Sequence, residues 1–325
     1  MKTVFLDFAS LGPDDLDVSA LNTTLADVIV WPESAAPEIN KRLATAEVAV
    51  VNKVRLDSAT LRSLPNLKLI CLAATGTDNI NLEAAKDLGI AVANIRRYCT
   101  PSVVQHVFTL ILALTQHLSV YQDAVRTGLW QNSDQFCLLD PPFRELQGKT
   151  MGIIGIGELG GSVAGVARAF GMRVIAARLP WRIRQAPGES GQSAPRLPLH
   201  ELLQQADIVS LHCPLTEETH QLIDAAALEQ MKKDALLINT ARGGLVDSRA
   251  LVDALQNEEI GGAGIDVLPQ EPPKAADPLL EVSLPNLIVT PHIAWSARES
   301  RQRALDEILE NIVAFSNGLE RNRVC

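Results

Sequence analysis

The chain has 325 residues, 47% of them hydrophobic and 21% charged, with a net charge of −9. That is chain enough for two globular domains, and its acidic balance argues against nucleic acid or anionic lipid as partners, since both need clustered Lys and Arg. Five scattered cysteines (Cys71, Cys99, Cys137, Cys213, Cys325), without a CxxC pair, argue against a disulfide framework or a zinc ribbon. The N-terminus MKTVFLDFASLGPDD turns acidic before any long apolar stretch, unlike a signal peptide, and no apolar run approaches the ~18 residues of a membrane span. A cytoplasmic protein with no membrane association is expected.

Apolar runs at 4–8, 28–30, 48–52, 67–74 and 90–95 read as strands buried on both faces. That pattern belongs to parallel sheets covered by crossover helices. A long helix is predicted over 101–126, with Thr100 as N-cap, Pro101 at the first helical position and Gly128 as the stop. Its VFTLILAL segment is apolar almost all round, as in a helix buried on several sides. Strands resume at 150–156, 173–177, 207–212, 235–241, 262–268 and 287–291, with helices such as 158–171 and 248–257 between them. The stretch 185–198, rich in Gly, Pro and Ser, reads as a surface loop. A last amphipathic helix covers about 296–315. The fold class is therefore α/β, with two doubly wound parallel-sheet units.

Gly155-Ile156-Gly157-Glu158-Leu159-Gly160 has the GxGxxG spacing, follows the strand TMGIIGI and opens a helix. In that context it reads as a phosphate-binding turn. Gly155 permits the tight turn, Gly157 a close approach of a diphosphate, and Gly160 close helix–sheet packing. The helix N-terminus adds N–H groups and a positive dipole end. The alternative is a junction whose glycines serve packing alone. An NAD-binding unit usually ends its second strand with an acid for the ribose 2′-hydroxyl. Here the strand ends Ala176-Ala177-Arg178, followed by Arg182 and Arg184. A guanidinium at 178 suits a 2′-phosphate, so NADP(H) is expected to be favoured over NAD(H); solvated loop arginines with weak selectivity are the other reading. Glu158 weakens diphosphate binding unless it points away.

Three polar residues follow later strands: Arg242 in NTARGGLVD, Glu271 in PQEPP and His292 in PHIAW. Ligands of open α/β sheets bind beyond the carboxyl ends of strands, the zone all three share. Singly, each also has a structural reading, as a surface arginine, a solvated loop acid and a capped strand end. His106 and His117, eleven residues apart on one predicted helix, share a face. No third ligand accompanies them, so no metal site is expected.

The segments ATGTDNI (74–80), YCTPSVVQH (98–106), GIIGIGELGGSVA (152–164), LHCPLTEETHQLI (211–223), INTARGGLVD (238–247), GAGIDVLPQEPP (262–273) and TPHIAW (290–295) carry a resemblance over essentially the whole chain. In this order they resemble the D-2-hydroxyacid dehydrogenase family, and within it the hydroxypyruvate and glyoxylate reductases, also called glycerate dehydrogenases. The resemblance implies a flavodoxin-like substrate domain, 1–99 with 292–325, and a Rossmann dinucleotide domain, 100–291. It implies NAD(P)H-dependent reduction of a small 2-oxo acid to the D-2-hydroxy acid. Arg242 would then hold carboxylate and ketone with its planar fork. His292 would protonate the developing alkoxide, and Glu271 on its other ring nitrogen would favour the imidazolium form.

By the same resemblance, backbone N–H groups around Thr75, Gly76 and Thr77 cap the substrate carboxylate, and Asp266 contacts the nicotinamide amide. Thr240, Ala241 and the segment His212-Cys213-Pro214 line the dinucleotide. Asp78 and Asn79 read as caps of the following turn, and Tyr98 and Trp295 as pocket walls or packing residues. A homodimer built through the dinucleotide domain, with the long helix in or near the interface, is implied as well; a central helix within one chain is the alternative. Two other functions stay open. One is oxidation of phosphite or another hydride donor on the same scaffold, although the formate branch places Gln where Glu271 stands. The other is a dinucleotide-sensing, corepressor-like binding protein.

Overall fold

The computed structural model describes residues 1–12, 14–179, 194–274 and 276–325. The chain forms two compact units, Met1–Cys99 with Trp295–Cys325, and Thr100–Ala294. The second crossing falls three residues beyond the predicted 291/292 boundary. The reason is local: the N–H groups of His292, Ile293 and Ala294 all bond to Asp266, which ties them to the second unit.

In the first unit β1 (Thr3–Phe5), β2 (Val28–Val30), β3 (Val48–Val51), β4 (Leu69–Leu72) and β5 (Ala91–Ala93) form a parallel sheet in the order β2-β1-β3-β4-β5. This is the flavodoxin-like order, with its switch point between β1 and β3. Crossovers are made by α1 (Ser19–Thr24), α2 (Ile39–Leu43), α3 (Ser58–Arg62) and α4 (Leu82–Asp87). Asp57 and Asn81 cap α3 and α4 through side chains that accept the N–H groups of Thr60 and Ala84. Strand residues alternate between two cores. Val4, Val51, Ile70 and Leu72 enter one, while Phe5, Val50, Leu69 and Cys71 enter the other, where Leu305, Ile308 and Ile312 of the C-terminal helix cover them. Both faces are buried, which is why these strands read as unbroken apolar runs. The exception is β2, predicted as a buried strand; it is the sheet edge, and Ile29 and Val30 are exposed.

The second unit opens with α5 (Thr100–Thr115) and α6 (Leu118–Arg126). It continues through β6 (Thr150–Ile154), α7 (Glu158–Ala169), β7 (Arg173–Ala177), β8 (Arg196–Leu197), α8 (Leu199–Gln205) and β9 (Ile208–Leu211). It ends with α9 (Ala225–Glu229), β10 (Leu236–Asn239), α10 (Ser248–Gln256), β11 (Gly262–Ile265) and β12 (Leu287–Val289); α11 (Arg298–Ser316) then belongs to the first unit. The parallel sheet runs β12-β11-β10-β9-β6-β7-β8, so the strand order reverses between β6 and β9. That is the doubly wound dinucleotide-binding order. Residues 196–197 of the predicted 185–198 loop are a short strand on β7, because Ala176 and Arg178 donate to Pro195 and Leu197 carbonyls. Arg182, Arg184 and the loop up to residue 193 lie outside the described residues.

The predicted helix 101–126 is two helices bent by 59°, with His117 in the left-handed region at φ 49° between them. His106 and His117 therefore do not share one helical face. Val107, Phe108, Leu110 and Ile111 are buried, and α5 packs on α7, β10 and β11, with Leu110 against Gly264. Much of its apolar surface is covered within its own unit, while Val104, Leu112 and Ala113 stay half-buried. The exposed apolar residues come after it: Leu129, Trp130, Phe136, Leu139 and Phe143. No single helix among the described residues is long and apolar enough to cross a membrane.

Candidate active site

The glycine turn and the segment after β9 meet where the strand order reverses. Gly155 has φ 99°, a region closed to most side chains, and a Cβ there would lie 2.5 Å from the Cys213 nitrogen and 2.7 Å from the His212 carbonyl oxygen. His212 N–H in turn donates to the Ile154 carbonyl at 2.7 Å. A Cβ on Gly160 would overlap the Gly155 carbonyl oxygen, so α7 can lie this close to β6 only with glycine there. Gly157 is the N-cap of α7 and supplies no capping side chain, which leaves the first-turn N–H groups to an anion. Leu159 lies within that first turn. Glu158 accepts a 2.5 Å hydrogen bond from the Thr100 hydroxyl, so its carboxylate is engaged by the first residue of α5. Thr100 is thus inside the helix rather than its cap.

Other cofactor candidates fall around the same end of the sheet. Thr240, one residue past β10, has a buried hydroxyl oxygen with no hydrogen-bond partner among the described residues. Ala241 N–H is held by the Asn239 side chain at 3.0 Å. Pro214 accepts from Thr219 at 2.8 Å, which fixes the segment after β9. Arg178 is exposed directly beyond β7, and no carboxylate follows that strand among the described residues up to 179. An orphaned hydroxyl, an uncapped helix start and a glycine cradle suit a dinucleotide diphosphate. Burial pushes His212 down to about 4 and the Cys213 thiol up to about 11. Both shifts favour the neutral forms near pH 7, which speaks against an imidazolium at His212 and a thiolate at Cys213.

Arg242, Glu271 and His292 leave the carboxyl ends of three adjacent strands, β10, β11 and β12. His292 Nδ1 lies 2.5 Å from Glu271 Oε2, with side chains 29% and 32% exposed. The other Glu271 oxygen accepts Leu268 N–H at 2.7 Å, which fixes the carboxylate. With Nδ1–H donating to Glu271, Nε2 is the ring nitrogen that can exchange a proton with a ligand. Arg242 is half-buried; its Nη1 donates to the Ala241 carbonyl at 2.7 Å, and its own carbonyl accepts from Asn239 Nδ2 at 2.9 Å.

His292 sits at φ 56°, a left-handed conformation rare for a residue with a side chain. Asp266 maintains it. The Asp266 carbonyl accepts His292 N–H at 2.8 Å, and its carboxylate accepts Ile293 N–H and Ala294 N–H, each at 2.9 Å, and the Thr290 hydroxyl at 2.5 Å. His106 Nε2 closes the network, 2.9 Å from Thr290 Oγ1 and 3.4 Å from Asp266 Oδ1. Burial pushes the Asp266 carboxyl up, but hydrogen bonds from His106, Thr290, Ala294 and Ile293 together outweigh it and leave it below the usual carboxylate range. Sequence reading missed Asn239, Gly243 and His106. Gly243 is buried, and a Cβ there would overlap Leu268 and Pro269 backbone atoms. Only the Asn239 turn, a side chain bonding two residues on, carries a local signal.

In the first unit Thr75, Gly76 and Thr77 follow β4. The Thr75 hydroxyl donates to the Ile95 carbonyl at 2.9 Å, and the Thr75 carbonyl accepts from Asn94 at 2.7 Å. None of the three backbone N–H groups has a hydrogen-bond partner among the described residues. Asn79 braces the 52–54 segment instead of capping its own turn. Tyr98 and Trp295 pack edge to face, centroids 6.4 Å apart, and Tyr98 is buried.

A dinucleotide crevice at one switch point, with a carboxylate–imidazole pair and an arginine at neighbouring strand ends, defines a nicotinamide-dependent oxidoreductase. The model of the D-isomer specific 2-hydroxyacid dehydrogenase, NAD-binding domain, matches residues 108–294, and the chain belongs to that family. It is 44% identical over 324 residues to a glycerate dehydrogenase of Methylorubrum extorquens, covering 99% of this chain and 98% of the relative. Among solved structures it is similar to an acyclic imino acid reductase in complex with NADPH and D-Arg, with TM-score 0.86, 30% identity and all of both chains covered. It is also similar to a D-lactate dehydrogenase from Aquifex aeolicus complexed with NAD and lactic acid, with TM-score 0.83, 32% identity, and 98% and 96% of the two chains covered.

Proposed function

We propose that this chain reduces a small 2-oxo acid of the hydroxypyruvate or glyoxylate type to the D-2-hydroxy acid, with NADP(H) favoured over NAD(H). The observation that carries the reading is the 2.5 Å His292–Glu271 pair, presented at the same sheet end as Arg242. The first-turn N–H groups of α7 hold the diphosphate, with Gly155, Gly157 and Gly160 giving it room. Thr240 and His212–Pro214 line the crevice, and Arg178 meets the 2′-phosphate. A bound reduced nicotinamide supplies the hydride that reaches the carbonyl carbon. Arg242 holds the carboxylate and polarises the ketone through charge-assisted hydrogen bonds. His292 Nε2–H gives its proton to the carbonyl oxygen, and Glu271 stabilises the ring orientation throughout. The open N–H groups of Thr75, Gly76 and Thr77 are assigned to carboxylate binding within the first unit.

A homodimer is part of this reading. Its support is the exposed apolar run from Leu129 to Phe143, in which Phe136 is 93% exposed; such surface usually meets a partner. A reducing, cytoplasmic setting agrees with five free cysteines.

The test is an initial-rate panel of glyoxylate, hydroxypyruvate, pyruvate, phenylpyruvate and 2-ketogluconate, each with NADH and NADPH. Turnover is expected with NADPH and the smaller acids. Cofactor binding without substrate-dependent oxidation would favour a sensor, and a clear NADH preference would remove the role given to Arg178. Arg242→Ala should lower kcat/KM by about 10²–10⁴, two charge-assisted hydrogen bonds' worth, with dinucleotide affinity unchanged.

A further inference from the structure

The switch point of the first unit lies between β1 and β3, where open α/β sheets bind ligands. Directly beyond β3, the successive N–H groups of Asn52, Lys53 and Val54 converge, as in a backbone nest that binds anions. The nest is already filled. Asp7, two residues past β1 and 6% exposed, places its carboxylate in it: Oδ1 accepts Asn52 N–H at 2.9 Å, and Oδ2 accepts Lys53 N–H at 2.6 Å and Val54 N–H at 3.0 Å. From the other side Asn79 Nδ2 donates to the Val54 carbonyl at 2.9 Å and the Asn52 carbonyl at 3.3 Å. Asn52 Nδ2 donates to Ser10 Oγ at 3.0 Å. The loop is thus held by its N–H groups and its carbonyls at once. It lies beside the turn after β4, joined to it by Ala73 N–H on the Val51 carbonyl and by the Leu56–Ile80 bridge.

We propose that Asp7 is a built-in anionic ligand of this nest and a positioning residue for substrate selection. It shuts the switch-point crevice to external anions, leaves the open N–H groups at 75–77 as the carboxylate site of this unit, and fixes the 52–54 loop as the wall beside that site. The assignment of a substrate to this unit rests on the function proposed above; the filled nest does not.

The experiment uses the full-length Asp7→Gly variant, in which acetate replaces the deleted side chain, with Asp7→Asn as a second variant that keeps the shape and loses the charge. For Asp7→Gly, acetate should raise Tm by several degrees, acetamide should not, and the wild type should respond to neither. With the dinucleotide saturating, KM for the 2-oxo acid should rise about tenfold or more in both variants, kcat should change less than KM, and acetate at low concentration should lower KM in the glycine variant. Dinucleotide affinity should stay at the wild-type value. Absence of an acetate-specific Tm response would overturn the filled nest. An acetate response with unchanged KM would overturn the positioning role. If Asp7→Gly does not fold, an unchanged KM in Asp7→Asn decides against the proposal. A wild type inactive on every 2-oxo acid would sink the proposed function while the acetate response still judges the nest.

Discussion

Gly243→Ala adds one methyl at the point where the Arg242 turn meets the segment leading to Glu271. The new Cβ would overlap the Leu268 carbonyl and the Pro269 nitrogen, which are backbone atoms that cannot rotate away. Restoring van der Waals contact requires the two segments to part by on the order of 1 Å. Leu268 N–H is bonded to Glu271 at 2.7 Å, and Glu271 to His292 at 2.5 Å, so the displacement passes into the pair proposed as acid and base. A misplacement of about 1 Å costs about 10²-fold in rate, and overpacking costs about 1–3 kcal/mol of stability. For a domain of this size that is a Tm lowered by roughly 2–12 °C. The assay is kcat/KM with hydroxypyruvate, alongside dinucleotide affinity by fluorescence titration and a thermal melt. The expected result is kcat/KM down about 10²-fold with dinucleotide affinity within about threefold, because the added methyl meets Leu268 and Pro269 rather than the glycine turn after β6. Wild-type kcat/KM in a variant that melts normally would refute the idea that Gly243 sets a spacing of the Arg242 and Glu271 segments on which turnover depends.

Adjacent glycines in α7 should behave oppositely. Gly160→Ala should weaken dinucleotide binding and lower Tm, whereas Gly161, with nothing within 4 Å of an added Cβ, should gain up to about 1 kcal/mol as alanine and keep its affinity; equal behaviour in melts and titrations would contradict the packing described. Half-buried His212, lowered from 6.5 to about 4, favours the neutral ring in the folded chain, so its contribution to stability is complete above pH 6.5 and is lost, by up to about 3 kcal/mol, as pH drops towards 4. The lowered carboxylates, Asp266 among them, act only below their ordinary values of 3.8 to 4.5, so His212→Asn should flatten the melts between pH 6.5 and 4.5 and leave the acid limb in place. Arg178→Ala should raise KM for NADPH about tenfold and leave NADH unchanged, measured by initial rates; equal changes for both cofactors would remove the 2′-phosphate contact.

Much of the fold was legible because doubly buried parallel strands write themselves as apolar runs, and the glycine turn adds a punctuated strand-to-helix junction. What was not legible depends on contacts between distant segments. Nothing in Gln116-His117 marks a break, since neither residue is Gly or Pro, yet the helix bends there through a left-handed histidine. The site reads in the same way. Arg242, Glu271 and His292 stand next to turns and prolines and could be picked out locally. Asp7 faces residues 45 to 47 positions away, and His106 one 184 positions away, so no spacing rule reaches them.

Asp266 shows why the gap matters for function. The family resemblance assigns it to the nicotinamide amide, a role that says nothing of its backbone partners. In the fold its carboxylate, 1% exposed, accepts from Thr290, Ile293 and Ala294 at once, while its carbonyl accepts from His292. A left-handed residue that is not glycine costs on the order of 1–3 kcal/mol and persists only when its surroundings over-determine it. Four hydrogen bonds from one residue to the 290–294 segment do that. The strained turn is thereby kept in one shape, and the His292 ring can meet Glu271 through Nδ1 and present Nε2 outward. The histidine proposed as proton donor is legible in PHIAW; its aim comes from Asp266, 26 residues earlier, whose carbonyl and carboxylate hold the 290–294 segment only once the sheet has folded.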